Sequence, residues 1–136
     1  LKSEILNEIQ KNNLNDVISL KPFIKKIETE YQNADVFLLT SMFECLPTVL
    51  LEALSMSIPC ISFDCPTGPK YIVDNNKNGY LITLNNFDLA AEKILLLYNN
   101  KSTHMYLKSN TVSSLNKFSK MAIFQSWTLI LDKYLQ

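Results

Sequence analysis

The chain contains no arginine: its 13 basic residues are all lysine, and 13 acidic residues balance them to a net charge of zero. Gathering nucleic acid or anionic lipid over long range takes a basic field, and none exists here, so nucleic acid is excluded as an expected partner. Glycine is nearly as scarce, with Gly68 and Gly79 alone. No G-x-G-x-x-G can be written from them, which removes the dinucleotide-binding fingerprint. The 3 cysteines, Cys45, Cys60 and Cys65, form no C-x-x-C pair, and the 1 histidine, His104, lies far from them in sequence. A tetrahedral zinc site therefore lacks its ligand spacing; no metal and no cofactor are expected, and reduced thiols are. Long hydrophobic runs are missing too. Val36 to Leu39 and Ile94 to Tyr98 fall well short of the roughly 20 residues that span a bilayer, and no signal peptide opens the chain. These absences lead to the expectation of a cytoplasmic protein, compatible with peripheral association at the inner face of the membrane.

What is present suffices for one globular domain, since 136 residues at 47% hydrophobic content can bury a core. Leu1, Ile5, Leu6 and Ile9 recur at helical spacing until Asn12-Asn13 breaks the pattern. Asp16 to Leu20 reads as a short strand stopped at Lys21-Pro22, and Ile24 to Gln32 as a helix with Ile27 and Tyr31 inward. Asp35 to Thr40 is an uninterrupted apolar run, the mark of a strand covered on both faces. Thr48 to Met56 reads as a helix and Pro59 to Asp64 as a buried strand. Cys65-Pro66-Thr67-Gly68-Pro69 makes a loop before a short helix near Lys70 to Val73, and Gly79 to Ile82 makes a further strand. From Phe87 on, helices are expected over Leu89 to Tyr98, about Thr103 to Leu115, and Met121 to Leu135. Strands alternating with helices predict an α/β fold, a Rossmann-like parallel sheet flanked by helices, with ligands at the carboxyl ends of the strands.

One stretch meets that location: Thr40 to Leu54, which leaves a strand, crosses a loop holding Glu44, and enters a helix holding Glu52. Pro47 suits the first helical position, which would make Leu46 the cap, and leucine has no oxygen with which to cap. The amides of Thr48 and Val49 then lack a local side-chain acceptor, and with the positive end of the helix dipole they form an anion site fit for a diphosphate. Water or a folded-back Glu44 would satisfy the same amides. Likewise Thr48, Glu52 and Ser55 describe either a functional face or an ordinary solvated stripe.

The ordered set of these motifs narrows the reading. Ser41-x-Phe43-Glu44 and E-x7-E follow a buried strand; P-x-x-L-L-E-A, P-C-I-S-F-D-C-P-T-G-P and N-G-Y-L-I come after. Together they resemble the retaining GT-B glycosyltransferases with an E-x7-E motif, the family 4 enzymes, over about Asn15 to Ile82. The resemblance implies that the chain, residues 1–136, is the C-terminal, nucleotide-sugar-binding domain of such an enzyme, with C-terminal helices over about 87–136. It implies that Glu44 is catalytic, facing the donor sugar, and that Glu52 accepts hydrogen bonds from the ribose. The amides around Cys45, Leu46, Pro47, Thr48 and Val49 would meet sugar hydroxyls and phosphate oxygens. Pro22 and Phe23 would lie near the base, although a core role for the Phe23 ring has the better claim. The implied reaction moves a hexose or N-acetylhexosamine from a nucleotide-sugar, a UDP-sugar by expectation, to a glycan or lipid-linked acceptor in surface polysaccharide biosynthesis.

The chain departs from that pattern in three places. Cys45 and Ser57 stand where glycine is common. Cys45 narrows the space beside the sugar, and Ser57 must adopt either a left-handed conformation or a different cap. The strand that carries the family's diphosphate-gripping basic pair, and the N-terminal acceptor domain, are expected to lie outside this stretch, which alone is expected to bind donor without transferring sugar. Lys70, after Gly68-Pro69, is the remaining candidate cation. The rival readings are a non-catalytic binding or scaffold domain derived from such an enzyme, and an unrelated doubly wound domain.

Overall fold

The computed structural model describes residues 1–135. Its centre is a three-stranded parallel sheet in the order β1 (Phe37–Leu39), β2 (Cys60–Phe63), β3 (Gly79–Ile82). Phe37 pairs with Cys60 and Leu39 with Ser62; Cys60 in turn pairs with Gly79 and Phe63 with Ile82. Gly79 is required there, because a Cβ at that position would stand 2.0 Å from the Cys60 carbonyl oxygen. The helices are α1 (Lys2–Lys11), α2 (Glu28–Gln32), α3 (Thr48–Ser55), α4 (Pro69–Ile72), α5 (Phe87–Asn99), α6 (Lys101–Ser114) and α7 (Lys120–Tyr134), with one 3-10 turn at Leu115–Phe118.

Period-two alternation in β2 divides the core. Cys60 joins Tyr31, Leu50, Ala53, Leu54, Ile58, Ile72 and Val73 on one face of the sheet. Ile61 and Phe63 join Tyr80, Ile82, Ala90, Leu97 and Leu107 on the other. The architecture is therefore α/β with helices on both faces, as the alternation of strands and helices predicts. Asn78 pins the turn before β3: its amide donates to the Ile72 carbonyl and to the Ser114 hydroxyl, and its oxygen accepts from the Asp74 amide. The Lys117 ammonium lies 2.9 Å from Asp74 and ties the 3-10 turn to the same place. No helix among the described residues is long and apolar enough to cross a membrane.

Several expectations need correction. Asp16 to Leu20 is turn and coil, since the Leu14 carbonyl accepts from the Val17 and Ile18 amides and no neighbouring strand offers a ladder. Val17 is 78% exposed. The helix expected over Ile24 to Gln32 contracts to α2; Tyr31 is inward as predicted, but Ile27 caps the helix and is exposed. β1 is an edge strand rather than one covered on both faces: Phe37 and Leu39 are half-buried and Leu38 is exposed. Pro47 is the cap of α3, not its first residue, with extended backbone at φ −71 and ψ 91. Ser57 takes the left-handed conformation, at φ 62. The predicted helix over Met121 to Leu135 forms as α7, yet none of its residues is buried.

Candidate functional site

The carboxyl ends of β1 and β2 each open into a loop that leads to a helix start, and the two loops are clamped together. The Thr67 hydroxyl donates to the Glu44 carbonyl. Gly68 has φ 89, and a Cβ there would stand 2.6 Å from both the Cys45 carbonyl oxygen and Pro47 Cδ. Only glycine allows this approach, so the T-G-P loop sets the position of the segment Glu44 to Pro47. That is a physical reason for motifs more than twenty residues apart to occur together.

The start of α3 lies in this clamp. No side chain caps it, and the Pro47 carbonyl accepts from the Leu50 amide, which leaves the Thr48 and Val49 amides without an acceptor among the described residues. Thr48 is exposed and Val49 half-buried. Shifting the cap from Leu46 to Pro47 leaves the helix start uncapped, because proline offers no side-chain oxygen either. Glu44 is half-buried at one side of the helix start, and its carboxylate has no ion-pair partner among the described residues. Cys45 is an exposed free thiol, and Met42, Phe43 and Leu46 make an exposed apolar lip beside it.

Glu52 stands four residues into α3, about 6 Å along the axis from Thr48. Its exposure would suit a solvated stripe, but one oxygen is engaged: the Tyr31 hydroxyl donates to Glu52 Oε2 at 3.0 Å. Burial first, and then the Glu52 hydrogen bond and charge, push the Tyr31 phenol up to about 12. Sequence reasoning placed Tyr31 in the core and missed this bond. The available signal was a tyrosine, not a phenylalanine, at an inward position, since a buried phenol needs a partner. An open cleft of about 370 Å³ runs beside Glu52, lined by Leu51, Ser55, Leu115, Phe118 and Ser119. A larger one of about 510 Å³, lined by Asp35, Val36 and His104 among others, sits at the amino end of β1, away from the loops.

The other candidates divide. Lys70 is exposed on α4, next to the clamp, with its ammonium 5.6 Å from the centre of the Tyr71 ring. Pro22 and Phe23 are exposed; Phe23, at 91%, has no core role, contrary to expectation. A five-residue α2 beginning at Glu28 buries only Tyr31, so nothing covers the ring ahead of it. That loop is tied to α2 through Lys21, whose ammonium is 3.5 Å from Glu30. Cys60 is buried and its thiol is pushed up to about 12, which makes it a packing residue and not a nucleophile. Among the described residues no three His, Cys, Asp or Glu side chains converge where a metal could be held.

Known proteins resemble this chain in sequence and fold. The chain is 26% identical over 133 residues to the poly(glycerol-phosphate) alpha-glucosyltransferase of Bacillus subtilis, a match covering 98% of this chain and 20% of that protein. It is 29% identical over 128 residues to the poly(ribitol-phosphate) alpha-N-acetylglucosaminyltransferase of Staphylococcus aureus, covering 93% of this chain and 26% of that one. A crystal structure of a mutant S. aureus TarM in complex with fondaparinux, alpha-GlcNAc-glycerol and UDP superposes with a TM-score of 0.86 at 29% identity, over 93% of this chain and 26% of that one. The chain thus spans about a fifth to a quarter of the length of these relatives, and its fold is that of a GT-B C-terminal domain. Residues 1–113 match the model of the family described as glycosyl transferases group 1. The chain belongs to the group 1 glycosyltransferases.

Proposed function

We propose that this chain is the donor-binding part of a retaining, family 4 glycosyltransferase that moves a hexose or N-acetylhexosamine from a UDP-sugar to a glycan or lipid-linked acceptor in surface polysaccharide biosynthesis. The observation that carries the reading is the uncapped start of α3, packed against Gly68 and set between Glu44 and Glu52 in the sequence. UDP in the TarM complex supports the choice of nucleotide. The Thr48 and Val49 amides meet the diphosphate, Glu52 accepts from the ribose hydroxyls, and Glu44 faces the sugar where the bond to the leaving oxygen breaks and the bond to the acceptor oxygen forms.

The leaving diphosphate is stabilised by amides and basic side chains, with Lys70 as the candidate cation, so no divalent metal is required. Magnitudes limit what this chain does alone. An exposed helix start contributes about 0.3 to 1 kcal/mol toward an anion, and a hydrogen bond to a charged group about 1.5 to 3 kcal/mol. Their sum, about 1.8 to 4 kcal/mol, corresponds to a dissociation constant of about 1 to 50 mM. The chain alone therefore binds donor weakly and transfers nothing; transfer needs an acceptor domain that closes over the site and excludes water. The enzyme works in the cytoplasm, peripherally at the membrane. Two variants test the roles. In the full-length enzyme Glu44→Ala should lower turnover at least a hundredfold with little change in UDP affinity; unchanged turnover removes the catalytic role. In this chain Glu52→Ala should weaken UDP binding about tenfold; equal affinity removes the ribose role.

A further inference from the structure

Glu52 is exposed on a helix surface, and an exposed glutamate samples many rotamers whose restriction on binding costs up to about 1.5 to 2 kcal/mol. Here one residue removes that freedom beforehand. Tyr31 lies 21 positions earlier, on α2, with its ring 7% exposed and 5.9 Å from the Phe37 ring. It belongs to the same core cluster as Leu50 and Leu54, so its hydroxyl emerges at a fixed point beside α3. We propose that Tyr31 is a positioning residue for nucleotide recognition: its hydroxyl occupies Glu52 Oε2 and orients the carboxylate so that Oε1 is left to accept the ribose hydroxyls. The proposal rests on the ribose role given to Glu52 above.

Three observations support it. A buried phenol needs an acceptor, and this one finds it not in a core carbonyl but in a carboxylate that is otherwise open to solvent. The phenol, pushed up to about 12, stays protonated and remains a donor at every working pH. A carboxylate holding one donor on Oε2 keeps Oε1 free, and the two lone-pair sites of that oxygen are enough for a vicinal pair of hydroxyls. α2 also carries Glu30, the anchor for Lys21, so one short helix links the loop at Pro22 and Phe23 to the ribose carboxylate. Orienting Glu52 before the ligand arrives raises affinity by reducing what binding must order.

The test compares a ligand that has a ribose with one that lacks it. UDP and inorganic pyrophosphate are titrated into the chain as wild type, Tyr31→Phe, Glu52→Ala and the double variant. Tyr31→Phe should weaken UDP binding about fivefold to tenfold and leave pyrophosphate binding within about twofold. In the Glu52→Ala background the same change should do less than about twofold, because there is nothing left to orient. Undiminished UDP binding by Tyr31→Phe overturns the positioning role while leaving the ribose reading in place. Parallel loss of UDP and pyrophosphate, whether by unfolding or by a shift of α3, shows a merely structural residue and also overturns it. Wild-type affinity in Glu52→Ala is a different failure: it removes the ribose reading, and the positioning role with it.

Discussion

The middle of the molecule and its two flanks use apolar residues in opposite ways. Between β1 and α6 a continuous set of them is covered: Leu50, Leu54, Ile61 and Ile72 are 0% exposed, while loop residues such as Met42 and Phe43 are not. In the flanks, residues at equally regular spacing remain open to solvent, with Phe23 at 91%, Phe124 at 68% and Trp127 at 59%. Periodicity in a sequence therefore reports which face of an element is apolar, not what covers it. The two clamped loops and the start of α3 belong to this middle region, which Tyr31 joins from α2. The loops hang on a sheet packed on both faces, which is what holds the α3 amides and the Glu44 backbone in a fixed arrangement.

The comparison can be broken most directly by truncating one residue from each region. Leu54→Ala empties a fully buried position and should cost about 2 to 5 kcal/mol in chemical denaturation. Trp127→Ala removes a larger side chain and should cost less than about 0.5 kcal/mol in this chain. Comparable losses would show that α7 is packed after all. Gly68→Ala comes next. Its Cβ strikes backbone of the neighbouring loop at a left-handed φ, so a loss of about 1 to 3 kcal/mol is expected, with pyrophosphate binding weakened in the same variant. Stability lost with pyrophosphate binding intact would separate the clamp from the anion site.

A smaller effect tests whether the covered region carries local strain. Ser57 holds a left-handed backbone at φ 62 just past α3, a conformation that costs an L-residue about 1 to 2 kcal/mol. Glycine relieves it but loses more chain entropy on folding, by roughly 0.5 to 1 kcal/mol. Ser57→Gly should therefore stabilise by about 0.5 to 1 kcal/mol; a destabilised variant would mean that the serine side chain makes a compensating contact.

How much was legible follows the same division. β2, β3, α3 and α5 lie close to where their patterns put them, because each is local and buries what its period shows. The failures at Asp16 to Leu20 and at Leu38 have one cause: a strand is defined by its neighbour, and sequence pattern alone does not name the neighbour. At the site, the uncapped helix start was readable from Pro47 and Leu46, which lack side-chain oxygens. The Thr67 and Gly68 contacts and the Tyr31 bond were not, since each joins residues 20 or more positions apart through the fold. Motif order hinted at the first of these, and only the geometry shows what the order achieves.

The central claim is that the covered region offers donor-binding amides at one helix start. Amide chemical shifts followed by NMR during a UDP titration of this chain test it most directly. The account predicts saturable shifts centred on Thr48 and Val49, extending to Glu52 and Gly68 and absent from α7, with a dissociation constant of about 1 to 50 mM. Shifts confined to the flanks, or no saturable shift at Thr48 and Val49, would contradict it.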